Sequence, residues 1–536
     1  MHAFATLLDQ LVYTRSRNAK LRLIANYLVA TPDPDRGWAL AALTGGLDLK
    51  AVQPKLIRVL LEERVDPVLL AMSHDFVGDL AETASLLWPD PVVPPAPSPS
   101  LDDVVTRLQH LSRADAPAAM RNLLDRLDTS GRYALLKLAT GALRIGISAR
   151  LAKTAFAQAF GVEVDAVEEV WHGLAPPYAE LFAWGGGGDQ PTPGTVPVFR
   201  PFMLAHPLEE LKLDLADYAA EWKWDGIRVQ LVHVVGPSGG QTRVFSRTGD
   251  DISGSFPEVA AAYATPAVLD GELLVRGEFQ GGALDDGGGA ASFNALQQRL
   301  GRKTPTAKAQ AEFPAFVRLY DILFDGGEDL RALPWTERRA RLEAVMPRLD
   351  PGRFDLSAVI EATDFEALAE VRAGARDAAI EGVMLKQRTS PYVAGRRTGL
   401  WYKWKRDPLV ADCVMMYAQR GHGKRSSFYS DYTFGCWTGD PAGGGELLPV
   451  GKAYSGFTDT ELAMLDKFVR TNTVARFGPV REVAKSLVLE VAFDSLHVST
   501  RHKSGIAMRF PRVARIRLDK PASEADRIDT LRRMIV

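Results

Sequence analysis

Four consecutive glycines, Gly185–Gly188, followed by Gln190-Pro191-Thr192-Pro193-Gly194, break the chain where its hydrophobic period changes, and no single layer of secondary structure spans that change. Before the break, Phe4–Leu11, Leu56–Glu63, Val104–Leu111 and Ala134–Leu143 repeat apolar residues three and four apart, the period of a helix with one buried face. After it, Ile227–Leu231, Val268–Val275 and Phe316–Tyr320 are short runs of strand-forming residues, with helical patterns at Leu330–Met346 and Asp364–Arg376. Beyond Asp407 short strands return at Asp412–Tyr417, Tyr432–Trp437 and Leu487–Phe493, with a turn at Asp440–Gly445 and one helix near Asp459–Thr471. The expected division is an all-α region over 1–184, a Gly/Pro-rich flexible linker over 185–197, an α+β region over 198–407 and a small β-barrel over 408–536. Trp88–Pro99 reads as a Pro-rich connector and Gly281–Ala291 as a loop.

Composition narrows the class. Of 536 residues, 46% are hydrophobic and 24% charged, which suits a multidomain globular protein with real cores. No apolar run is long enough for a membrane span, and Met1–Lys20 carries Asp9, Arg15 and Arg17 where a secretory leader would be uncharged. Two cysteines, Cys413 and Cys436, fit a reduced cytoplasmic protein and exclude a zinc site of four cysteines. The net charge of −2 offers no general attraction to a polyanion, so any nucleic-acid contact must come from local basic patches.

The segment Glu221-Trp222-Lys223-Trp224-Asp225-Gly226-Ile227-Arg228 sets a lysine between two tryptophans just ahead of a turn dipeptide. Lysine is a poor nucleophile near neutrality, since a reference pKa of about 10.4 leaves roughly one amine in two thousand uncharged. A catalytic lysine needs a dry pocket or other cations beside it. Taken alone, these residues fit an exposed strand lysine beside a turn more readily than a nucleophile.

Further segments change that balance. Ser246-Arg247-Thr248-Gly249, Asp270-Gly271-Glu272-Leu273, Leu319-Tyr320-Asp321-Ile322-Leu323, Glu381-Gly382-Val383-Met384-Leu385-Lys386, Trp401-Tyr402-Lys403-Trp404-Lys405, and Arg509-Phe510-Pro511-Arg512 with Arg517-Leu518-Asp519-Lys520 follow it in order. Together the seven segments resemble the signatures of the covalent nucleotidyltransferases, the superfamily of DNA ligases, RNA ligases and mRNA capping enzymes.

The resemblance implies that Lys223 attacks the α-phosphate of ATP and keeps AMP on its nitrogen. It implies Glu221 at the adenine amino group, Tyr320 stacked on adenine, and Arg228 and Glu272 at the ribose. Arg397, Lys403, Lys405, Arg517 and Lys520 would meet nucleotide phosphates. Arg247 would approach the nucleotide and the 5′-phosphate of DNA. Glu381, Asp225 and Glu272 would serve a metal, Mg²⁺ or Mn²⁺. Lys403 and Lys405, two apart on an expected strand, would share one face and, as nearby cations, depress the pKa of Lys223. Lys386–Arg406 holds seven basic residues and no acidic one, and Arg501–Lys520 holds seven against Asp519 alone, which favours a polyphosphate surface.

The helical residues ahead of the lysine, especially Gly141–Ser148 with Arg144 and then Leu151–Phe160, resemble the helical DNA-binding domain of archaeal and eukaryotic-type DNA ligases, and the chain as a whole resembles the bacterial ATP-dependent DNA ligases that carry such a domain. A capping enzyme would lack those helices, and an NAD-dependent ligase would need a cysteine zinc module. The implied architecture is a helical DNA-binding domain, an adenylation domain and an OB-fold barrel. The implied reaction is sealing of nicked duplex DNA by a cytoplasmic monomer. RNA ligation, or a scaffold that has lost its chemistry, are the competing readings.

Overall fold

The computed structural model describes all residues except 15, 48, 50–51, 78, 91–96, 142, 144, 193–195, 210–212, 237–238, 278–288, 291–295, 297–298, 300–303, 375–379, 422–427, 500–501 and 536. The chain divides into two compact units, Met1–Ala155 together with Asp407–Val536, and Phe156–Arg406.

In the first unit, residues up to Ala155 are helical, as their period predicts. The helix Leu101–Gln109 buries Leu101, Val104, Val105 and Leu108, and a reciprocal capping box between Ser100 and Asp103 starts it. Residues from Asp407 onward are β-rich. The long strand Leu409–Arg420 pairs with Tyr429–Trp437 on one side and with Val488–Phe493 and Val480–Val483 on the other. One helix, Asp459–Thr471, packs Leu465 and Val469 onto this sheet's core. Among the described residues the pairings trace an open path from Leu447–Ala453 to Thr473–Phe477, with Arg512–Arg517 added through Val488–Phe493. The expected barrel is therefore an OB-like β domain whose ring is not closed by these pairings. No described helix is long and apolar enough to cross a membrane.

The second unit holds two antiparallel-rich sheets. One runs Val359–Ile360, Tyr218–Trp224, Ile380–Gln387, Trp401–Lys405, His206–Pro207. The other runs Gly239–Ser246, Ile227–Gly236, Ala267–Val275, Ala315–Asp325, Glu328–Asp329, with Phe354–Leu356 joining Ala315–Asp325. Trp222, Trp224, Val383 and Leu385 of the first sheet share a core with Leu274 and Phe316 of the second. Val229, Leu231, Leu269 and Leu319 pack instead with Leu342 and Val345 of the helix Trp335–Val345.

The glycine run does local work that its composition does not announce. Gly186 and Gly188 donate backbone hydrogen bonds to Phe182 and Ala183, closing the helix Ala179–Gly185, and Gly187 sits at φ +99°. The helix Val164–Trp171 and its following turn belong with the second unit: Glu169 pairs with Arg331, and His172 packs on Phe199 and Phe245. Gly236 pairs with Gly239 and Val235 with Gly240 where the strands Ile227–Gly236 and Gly239–Ser246 end and begin, and Gly281–Ala291 lies mostly outside the described residues.

Candidate active site

Side chains alternate across a strand, so the face that Lys223 occupies follows from its neighbours. Tyr218, Ala220, Trp222 and Trp224 pack into one core. Ala219, Glu221 and Lys223 therefore point to the opposite face, where Glu221 and Lys223 line a cleft of about 360 Å³. The same logic holds on Trp401–Lys405: Tyr402 and Trp404 pack against that core, while Trp401, Lys403 and Lys405 line the cleft.

Cross-strand register puts these residues in rows. Lys223, Gly382 and Lys405 are directly opposite one another, as are Glu221, Met384 and Lys403, and Ala219, Lys386 and Trp401. Gly382 contributes no side chain between two lysines. Its φ of +147° and the 2.3 Å from an added Cβ to the Trp404 carbonyl leave room only for glycine.

Glu381 reaches this face because of a β-bulge. Ile380 pairs with Trp224 and Gly382 with Lys223, so Glu381 is an extra residue with no partner across the strand. In regular register Glu381 would face Trp224 and share the core side of Val383 and Leu385. Instead its carboxylate accepts hydrogen bonds from Lys223 at 2.5 Å and pairs with Lys405 at 3.2 Å.

The second sheet supplies the remaining wall. Arg228 and Glu272 are cross-strand partners, and both line the cleft with Tyr320. Arg228 donates to both oxygens of fully buried Asp270, at 3.0 and 2.6 Å, and to the Met203 carbonyl. Tyr392 donates to the same aspartate at 2.8 Å. Glu272 accepts the Gly226 amide at 3.2 Å. Arg247 stands exposed at the rim, on a turn closed by Gly249 donating to Ser246.

The carboxyls are tuned apart. Burial works upward on Glu381, but Lys223 and Lys405 outweigh it and hold the group at about 2. At Glu272 burial prevails over Lys223 and Arg228, pushing it up to about 8. Glu221, 1% exposed, is also raised by burial, against the pull of Lys386 and Arg339. Lys403 is lowered by burial first and then by Arg396, Lys405, Lys223 and Arg247, and no carboxylate among the described residues pairs with it. Such a surplus of cations beside an aromatic wall can take a polyphosphate joined to a flat base.

Glu221, Lys223, Arg228, Arg247, Glu272, Tyr320, Glu381, Lys403 and Lys405 thus line one cleft. Asp225 and Arg397 do not line it; Arg396, beside Arg397, does. Arg517 and Lys520 belong to the first unit, where both pair with Asp412, at 3.1 and 2.7 Å, and Arg517 also holds Asp519. Arg144 lies outside the described residues. Sequence reasoning counted Lys386 and Arg396 in a basic run and Asp270 in a signature segment, but gave none of the three a role of its own. Lys386 and Asp270 were within reach, because each lies two residues from a position on the same face, Met384 and Glu272.

No cluster of three His, Cys, Asp or Glu exists among the described residues, so any metal here would rest on one or two carboxylates. Glu381 and Glu272 supply hard oxygens of the kind Mg²⁺ takes when phosphates and water complete its shell.

A family model described as ATP dependent DNA ligase domain matches residues 202–405, and one described as ATP dependent DNA ligase C terminal region matches residues 425–520. A protein of Koribacter versatilis named "Probable DNA ligase" is 33% identical, over 99% of this chain and 96% of its own length. Its namesake from Rhodococcus jostii is 36% identical, over 83% of this chain and 86% of its own. The solved structure named Pmar-Lig_PreS3 aligns at a TM-score of 0.59 and 16% identity, over 96% of this chain and 99% of that one, which is likeness of fold.

Proposed function

Since this chain belongs to the ATP-dependent DNA ligase family, we propose that Lys223 is the amine that carries AMP from ATP to a DNA nick. As a ligase of this family it joins a 3′-hydroxyl to a 5′-phosphate in duplex DNA at the expense of ATP. The observation that carries the assignment is the row Lys223, Gly382, Lys405 with Glu381 bridging the two amines.

In the first step the uncharged amine attacks the α-phosphorus, the bond to pyrophosphate breaks and a nitrogen–phosphorus bond forms. The 5′-phosphate of the nick then displaces lysine from AMP, and the 3′-hydroxyl displaces AMP to seal the strand. Each displacement needs the attacking and leaving atoms in line, so positioning and charge stabilisation carry most of the catalysis. Lys403 and Lys405, which line the cleft, would meet the phosphate on which charge gathers, and Arg396 extends the same wall. Tyr320 offers the base an aromatic face, and Glu221 an acceptor for the adenine amino group. Arg228, fixed by Asp270, and Glu272 suit the ribose hydroxyls.

Mg²⁺ held by Glu381, with Glu272 nearby, would neutralise phosphoryl oxygens, and Mn²⁺ fits the same donors. Arg247 at the rim suits the 5′-phosphate. The helical residues ahead of the glycine run would hold the duplex through its phosphates, with no reading of sequence. The β-rich segment is read as an OB-fold barrel whose Arg517 and Lys520 serve pyrophosphate departure. A monomer in the cytoplasm suits a chain whose two cysteines are free.

Incubation with α-labelled ATP and Mg²⁺ tests the central claim. Labelled protein is expected for the wild type and none for Lys223→Ala; equal labelling of both would refute it. Sealing of DNA against RNA nicks separates DNA ligation from the RNA alternative.

A further inference from the structure

Lys386 is 1% exposed, yet it belongs to a strand that lines the cleft. Its ammonium donates to Glu221 Oε2 at 3.1 Å and to the Tyr320 carbonyl at 3.2 Å. The rings of Tyr320 and Trp401 each lie 4.7 Å from it, so aromatic faces occupy much of its remaining surroundings. Lys386 sits diagonally across from Glu221, two residues beyond Met384, which is Glu221's direct partner.

The other oxygen of that carboxylate is the informative one. Glu221 Oε1 is buried and has no hydrogen-bond partner. Arg339 Nη1 stands 3.9 Å from it and is engaged with the Ser357 carbonyl at 2.8 Å. A buried acceptor without a donor is costly to a fold, so this oxygen calls for a donor from elsewhere, which a ligand can supply. An amino group is such a donor. A carbonyl at the same place, as guanine carries, would meet the oxygen as a second acceptor.

We propose that Lys386 is a positioning residue for base recognition, clamping Glu221 through Oε2 so that Oε1 is presented to the amino group of adenine. The proposal rests on the reading that the cleft takes ATP with its base against Glu221. The clamp also bears on the proton. Burial favours a neutral carboxyl, and a protonated Oε1 would offer a donor to a donor. The Lys386 ammonium opposes that burial and favours the ionised, accepting form.

The test compares self-adenylation of the full chain with ATP and with purine riboside 5′-triphosphate, which lacks the amino group. The wild type is expected to use ATP about tenfold better or more. In Lys386→Met, which keeps an apolar stem between the two rings, the ratio of the two efficiencies falls toward one. On a Glu221→Ala background the same substitution leaves the ratio unchanged, as a double-mutant cycle requires of residues acting through one contact. A general loss of activity lowers both efficiencies and leaves the ratio alone, and sealing of a pre-adenylated nick reports that the variant is folded. If Lys386→Met keeps the wild-type ratio, or if it alters the ratio equally with Glu221 absent, the positioning role is overturned. If the wild type itself does not distinguish the two nucleotides, it is the placement of adenine against Glu221 that fails.

Discussion

The Glu381 carboxylate accepts a 2.5 Å hydrogen bond from the Lys223 ammonium, from a strand position that has no partner in the sheet. This one carboxylate neutralises the nucleophile and pairs with Lys405, so whatever engages it also changes the surroundings of both amines. Glu381→Gln keeps the shape and loses the charge. Its adenylation rate with ATP and Mg²⁺ is expected to fall by about a hundredfold or more, consistent with loss of one charged transition-state contact. Single-turnover labelling reads this directly.

Glu272 titrates in the working range. Its folded value, about 8, lies above that of an unfolded glutamate, so its contribution to stability is fully present below about pH 4.5 and is lost as pH rises toward 8. Urea unfolding of Glu272→Gln against wild type should therefore shift in favour of the variant between pH 5 and pH 8, by on the order of 3 kcal/mol. The kcat/KM for adenylation should rise through a group near pH 8 that the variant lacks. A flat difference in stability across that interval would refute the assignment.

Gly382→Ala strikes the bulge. A Cβ there comes within 2.3 Å of the Trp404 carbonyl, and the backbone angle disfavours any side chain. The expected cost is about 2–4 kcal/mol of stability, with adenylation lost beyond that because Glu381 moves. Gly439→Ala, where nothing lies within 4 Å of the added carbon, should leave both within a small margin of wild type.

Asp270 does not itself line the cleft, yet it fixes Arg228, which does. Asp270→Asn leaves a half-buried guanidinium without its fully buried counter-charge, and about 2–4 kcal/mol of stability should go. Where the protein remains folded, KM for ATP should rise more than kcat falls, since a ribose-holding group is displaced rather than the nucleophile.

Lys403 is lowered by burial and then by the cations Arg396, Lys405, Lys223 and Arg247, and among the described residues no carboxylate pairs with it. Lys403→Ala should melt at or above the wild-type temperature without nucleotide, gain less from added ATP, and adenylate about a hundredfold more slowly. A variant that melts lower and binds ATP normally would show that the lysine is structural.

Much of this site was legible before any coordinates. Alternation along Trp401–Lys405 already placed Lys403 and Lys405 together, and the apolar partners of Lys223 are its immediate neighbours in sequence. What alternation cannot show is pairing. Glu381 reads as a core-facing residue until the register reveals the extra position, and the Arg228–Asp270 pair joins two strands 42 residues apart. The glycine run reads as a linker because its hydrogen bonds to Phe182 and Ala183 are invisible in composition. Closure of the barrel is not written in the residues for the same reason: strand-forming residues fix the strands and leave open which edges meet.

The bulge at Glu381 makes the chemistry of this sheet a matter of counting. Deleting one residue beside Gly382 would leave composition nearly untouched, yet it would turn the carboxylate into the tryptophan layer and leave two amines facing each other with nothing between them. Homologous exchange, loop grafting or transplantation of this strand into another scaffold must therefore preserve spacing before identity. A chain carrying every signature residue in the right order, but one position short here, would look like an enzyme and be inert.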